Sequence, residues 1–284
     1  MLSSESWAPI QEGTRPGQTV SDLPEFDDPP VVEVAVGVQF RPLFGLRGLA
    51  LAPLRDRWRH QYPNTEEQPA LSPAVEGSPT LVPQLQFNVV PLPPTRQWFL
   101  NDHGTELVQV QADRLLVNWR VGDLPSEYPR YGHMRETFVN RFNDLAQFVT
   151  EENLGELEII QAELTYINVI EADRDELGRI DRFLKGWSGA DEHHLGEPEQ
   201  ARVTLTFLIP GIGVPPVRLY AEVNPAQKPS GEPVLFFTLT ARGNPGGKSL
   251  AEALKFIDEA HDHLTRSFAE LTEESMHDVW GRRA

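Results

Sequence analysis

The alternation of apolar and polar positions along this chain sets out its elements. Val32, Val34, Val36, Val38 and Phe40 alternate with Glu33, Ala35, Gly37 and Gln39, the two-residue period of a half-buried strand. A helix is expected over 53–62, with Pro53 in its first turn and Leu54 and Trp58 on one face. The Pro-rich stretch 64–83 reads as a loop, followed by four short strands over 85–90, 97–100, 106–111 and 114–121. A helix over 131–149, striped by Met134, Phe138, Phe142, Leu145 and Val149, closes this half. The second half repeats the order. It has a strand over 157–170, a helix over 175–187, an acidic linker over 189–200, and strands over 203–209, 217–223 and 234–241. Ser249 with Glu252 reads as a capping box opening a last helix striped by Leu250, Leu254, Ile257, His261, Leu264 and Phe268, and Met276, Val279 and Trp280 follow in a terminal turn.

The halves carry a common landmark. Arg120 closes a strand thirty residues before Thr150-Glu151-Glu152, and Arg242 stands at the same distance before Thr272-Glu273-Glu274. The expected fold is therefore α+β: duplicated halves, 29–155 and 156–284, forming one long curved antiparallel sheet with helices on one face, after a loose arm over 1–28. The element order resembles the saddle of TATA-binding-protein-like folds.

Composition narrows the partners. The chain of 284 residues has a formal net charge of −17, which disfavours nucleic acid, because a duplex binder gains most of its non-specific affinity by displacing counterions with basic groups. It contains no cysteine, which excludes disulfides, thiolate metal sites and thiol nucleophiles. No signal peptide or membrane span is legible, and the chain reads as cytoplasmic.

Chemistry is sparse. Asp191, Glu192, His193 and His194 are potential ligands, but consecutive side chains diverge, and the stretch reads as an acidic loop without metal. Gly243 to Ser249 precedes a helix as a phosphate loop does, yet Arg242 holds the place of the first required glycine. His261 falls in an apolar stripe and reads as a core histidine, while His277 and Trp280 pack the terminus. No catalytic residue and no cofactor is assigned.

The polar side of the sheet is the richest surface. Glu163, Thr165, Tyr220, Glu222, Thr240 and Arg242 should share it with Glu33, Asn118 and Arg120 from the first half. Beside it, Asn118-Trp119-Arg120 and Tyr128-Pro129-Arg130-Tyr131 form the densest aromatic and arginine cluster, although Trp119 itself points to the helix side. The leading expectation is a non-enzymatic recognition protein, binding through Arg120, Tyr128, Tyr131, Glu163, Thr165, Tyr220, Glu222 and Arg242. The acidic balance favours a basic protein partner, and a homodimer is compatible with this reading. The alternative is a hydrolase or transferase using Glu33 and Glu163 with arginines as charge stabilisers. A third reading stacks single-stranded nucleic acid on Tyr220 and Phe99.

Four segments carry a resemblance. Pro29-Pro30-Val31-Val32-Glu33-Val34, the Trp119-Arg120 and Tyr128-Pro129-Arg130-Tyr131 pair, Glu163-Leu164-Thr165-Tyr166-Ile167-Asn168, and Phe268 with His277 and Trp280-Gly281 together resemble a family of sporadically distributed bacterial proteins. The resemblance implies a bacterial, soluble protein and brings no catalytic residues with it. Val169 stands where that resemblance would place a histidine.

Overall fold

Nine strands hydrogen-bond into one antiparallel sheet in the computed structural model, which describes residues 23–72, 95–122, 127–185, 194, 196 and 198–283. The first half contains β1 (Val31–Phe40), α1 (Ala52–Trp58), β2 (Asn64–Pro69), β3 (Thr95–Leu100), β4 (Glu106–Gln111), β5 (Arg114–Arg120) and α2 (Arg130–Glu151). The second contains β6 (Ile159–Glu171), β7 (Val203–Leu208), β8 (Val214–Gln227), β9 (Pro233–Asn244), α3 (Leu250–Leu271) and α4 (Glu274–Val279). The strand order is β2-β3-β4-β5-β1-β6-β9-β8-β7, so β1 and β6 form the centre.

Among the described residues, helices pack on one face of the sheet. α2 packs on β5 and β1, and α3 on β6 and β9. Because alternate side chains of a strand point to opposite faces, Val34, Val36, Val38 and Phe40 are fully buried under α2 and α3, while Glu33, Ala35 and Gln39 look the other way. Phe138, Leu145 and Phe148 of α2 and Phe256, Ile257 and Leu264 of α3 complete the core. Trp58 of α1 fills its outer corner, edge-on to Phe99 with ring centroids 5.0 Å apart, its indole N–H donating to Asp144 Oδ2 at 2.8 Å. Glu252 accepts the Ser249 backbone N–H at 3.2 Å, the capping box expected at the start of α3.

Three expectations change. Residues 64–69, expected within a loop, form edge strand β2, paired along its length with β3; the expected strand over 85–90 lies outside the described residues. Over the described part of the helix expected at 175–187, residues 175–185, two short turns stand instead, Arg174–Glu176 and Ile180–Arg182. Its carbonyls are taken by tertiary partners: Leu177 O accepts from Ala201 N at 3.0 Å and Phe183 O from Glu273 N at 2.9 Å. Gly178 passes so close to Pro198 that a Cβ there would lie 1.9 Å from the Pro198 carbonyl oxygen. Finally, residues 25–28, expected in a loose arm, are docked. Asp27 N and Asp28 N donate to the carbonyls of Gly281 and Trp280, Arg283 N donates to Glu25 O, and Phe26 is buried against Phe268, His277 and Trp280.

Among the described residues no helix is long and apolar enough to cross a membrane.

Candidate functional site

The face opposite the helices carries most of the expected binding residues. Antiparallel register places Glu163 beside Arg242 and Arg242 beside Arg218; Thr165 beside Thr240 and Thr240 beside Tyr220; and Thr238 beside Glu222. Each is half-buried, as befits side chains standing together on a sheet. The Thr165 and Thr240 hydroxyls are 2.9 Å apart. Arg242 approaches Glu163 at 3.9 Å and lays its guanidinium over the Tyr220 ring, 5.0 Å from the centroid. In the first half Glu33 stands beside Arg120, whose Nε–H donates to Gly104 O at 2.9 Å and whose guanidinium lies 5.8 Å from the centroid of the Trp98 ring.

That half of the face is tied into a relay. Trp98 Nε1 and Arg96 both donate to Gln109 Oε1, at 3.0 and 2.6 Å; Gln109 Nε2 donates to Asn118 Oδ1 at 2.7 Å; and Asn118 Nδ2 donates to Glu33 Oε1 at 2.6 Å. Gln109 and Asn118 are buried, which is tolerable because each amide is satisfied in one orientation. Burial pushes the Glu33 carboxyl up, opposed by the Asn118 bond and the Arg120 charge.

Glu33 and Glu163 share the face but not a site. Glu33 is opposite Ile167, and Glu163 is opposite Gly37, which sets their Cα atoms roughly 14 Å apart on neighbouring strands. Their carboxylates are engaged with separate partners, Glu33 with Asn118 and Glu163 with Arg242. Phe99, the stacking platform of the nucleic-acid reading, is on the helix side, and Trp98 takes the open side. Asp191 to His193 of the candidate ligand run lie outside the described residues. Among the described residues no three His, Asp or Glu side chains are grouped to hold a metal.

Tyr128 and Tyr131 do not join the sheet face. They belong to the helix side, where they line a cavity of about 510 Å³ between the docked residues 23–29, the start of α2, and α3. Tyr131 lies flat on His261, ring centroids 3.9 Å apart, and donates to Asp258 Oδ1 at 2.5 Å, a carboxylate also held by Arg135 at 2.6 and 2.9 Å. Tyr166 Oη is 2.9 Å from His261 Nδ1 and 3.5 Å from Tyr128 Oη. Burial raises the Tyr166 phenol well above its ordinary range and lowers the His261 imidazole. The Tyr166 oxygen accepts from the Tyr128 hydroxyl, so its own hydrogen is turned to Nδ1, which places the imidazole hydrogen on Nε2. Nε2 has no hydrogen-bond partner among the described residues.

All four segments named for the resemblance reach this cavity: Val31, Tyr128 with Tyr131, Tyr166 with Asn168, and Phe268, behind which His277 and Trp280 pack. Sequence reasoning missed it. The legible signal was a pair of polar-tipped residues, Tyr166 in β6 and His261 in α3, set at apolar positions of two elements that pack together.

No protein-family model and no curated protein matches the chain. Among solved structures, the crystal structure of the di-domain ARO/CYC StfQ from the steffimycin biosynthetic pathway is similar over 88% of this chain and 98% of that one, at 9% identity and a TM-score of 0.19. A likeness of that size does not establish a shared fold.

Proposed function

We propose that the chain is a non-enzymatic recognition protein whose polar sheet face receives a segment of another protein. The observation that carries this reading is a matched pair of cross-strand neighbours on the face opposite the helices, Glu33 beside Arg120 and Glu163 beside Arg242, either side of Ala35 and Thr165. Arginines held by aromatic rings and interleaved with carboxylates favour a partner that presents both signs of charge. The charge of −17 adds a long-range bias toward a partner that is basic overall, such as an enzyme or toxin held in check.

The reading rests on duplicated halves. Its support is that each central strand sets a glutamate, Glu33 or Glu163, beside the arginine near the end of the strand next outward, Arg120 or Arg242. From that centre β5, β4, β3 and β2 run outward one way and β9, β8 and β7 the other, and the covering helices α2 and α3 each have 22 residues. A TATA-binding-protein-like saddle has this mirrored arrangement, and membership of the sporadic bacterial family is proposed with it.

Replacing Arg120 and Arg242 together by Ala removes both arginines. Tagged wild-type and double-variant chains used to capture proteins from the native host's lysate should differ by loss of the stoichiometric partner, with thermal melting showing that the variant remains folded. An unchanged partner set overturns the proposal.

A further inference from the structure

We propose that the helix-side cavity is a second, separate site, built for a neutral aromatic molecule that carries one hydrogen-bond acceptor, an aryl ketone being the simplest example. It lies across the sheet from the recognition face and does not depend on it.

Size and lining give the class. At about 510 Å³ the cavity falls within the range of small-molecule pockets. Its apolar walls are Phe26, Tyr128 and Phe268 with Leu239 and Leu264. Glu25, Arg130, Asn168, Thr265 and Arg283 add polar groups to the lining. Aromatic walls of this kind favour aromatic guests through edge and offset-face contacts.

Charge gives neutrality. Arg130 donates to the carbonyls of Phe26 and Asp27, Arg283 is paired with Glu25 and Asp27, and Asp258 is held by Arg135 and Tyr131. Glu25, Arg130 and Arg283 of the lining are thus committed to other protein groups, and burying a charged guest beside them would carry an uncompensated desolvation cost.

The imidazole gives the acceptor. His261 is clamped by Tyr131 on its flat face and by Tyr166 at Nδ1, which fixes both ring position and tautomer and leaves Nε2–H as a donor. Thr265 Oγ1, 3.4 Å from Nδ1, adds a hydroxyl to the same wall. A guest with a carbonyl oxygen satisfies that donor, and a hydrocarbon of the same shape leaves it unpaired.

Benzophenone tests this directly, because irradiation inserts it into neighbouring C–H bonds. With the full chain, labelling should saturate and map by mass spectrometry to residues 23–31, 128–132 and 261–268. Diphenylmethane, which has the rings without the oxygen, should compete about tenfold more weakly than unlabelled benzophenone. His261→Phe keeps the stack and removes the donor, and should bring the two competitors level. Leu264→Trp intrudes on the cavity beside His261 and should abolish labelling. Scattered or non-saturating labels, equal competition in the wild-type chain, or labelling that persists at these segments in folded Leu264→Trp each overturn the proposal. So does labelling that requires removal of residues 1–22, which would make the chain's own amino-terminal segment the occupant.

Discussion

His277 can hold only one protonation state where it stands. Its Nδ1 lies 3.0 Å from an Arg282 guanidinium nitrogen, which can only donate, so Nδ1 must accept. Its Nε2 is then the protonated nitrogen and donates to Thr272 Oγ1 at 2.8 Å, and that hydroxyl donates to Phe268 O at 2.7 Å. A second proton on the ring would face Arg282. Burial, with Arg282 adding to it, accordingly lowers this imidazole below the ordinary 6.5, and burial lowers His261 and His263 in the same sense. The unfolded chain binds more protons than the folded one in this window, so stability is present above 6.5 and is lost as pH falls through the depressed folded values. Glu33, raised by burial, works in the opposite sense, weakening the fold as pH rises through its own range. Urea unfolding of wild type and His277→Gln at about pH 7.5 and about pH 5.5 separates these effects: the wild type should lose stability on acidification, and the variant should lose less.

Elements depend on one another where polar groups cross them. The relay from Trp98 through Gln109 and Asn118 to Glu33 spans β3, β4, β5 and β1 and fixes their relative position from the polar side as the core does from the other. Asn118→Leu keeps the bulk and strands the Gln109 amide and the Glu33 carboxylate. It should destabilise the protein by about 1–3 kcal/mol for each orphaned group, read from urea midpoints at unchanged slope. The same elements show what was legible. β1, β6 and β9 declare themselves by alternation, because one face of each is buried under helices. β2, with the sequence Asn-Thr-Glu-Glu-Gln-Pro, is polar on both faces, and only pairing with β3 makes it a strand. Residues 175–187 had helical spacing, but that periodicity marked contacts with the end of α3, as the bridge from Leu184 to Thr272 shows. Alternation likewise placed Glu163, Thr165, Tyr220, Glu222 and Arg242 on one face, since strand geometry fixes direction. Tyr128 and Tyr131 escaped it because they precede and begin a helix. Arg130 between them is held at φ 69°, a left-handed turn that no periodicity announces.

Taken whole, the molecule separates two surfaces that the sheet keeps apart: an interleaved, charged face and an aromatic hollow under the helices. The acidic field acts on approach, and at physiological salt it fades within about 8 Å, so contact chemistry on the face must decide which partner stays. The hollow is closed partly by the joined chain ends, where Phe26 pairs with Arg282 and Arg283 reaches back to Glu25 and Asp27. That junction makes the order of the chain arbitrary as far as the sheet is concerned. A circular permutant in which a flexible linker joins Arg283 to Leu23 and new termini are cut at Gly231, in the exposed turn between β8 and β9, should assemble the same nine strands. Far-ultraviolet circular dichroism and a single cooperative melt would register success. The sheet would then behave as a closed circuit that can be opened at any exposed turn, rather than as a thread with a fixed beginning.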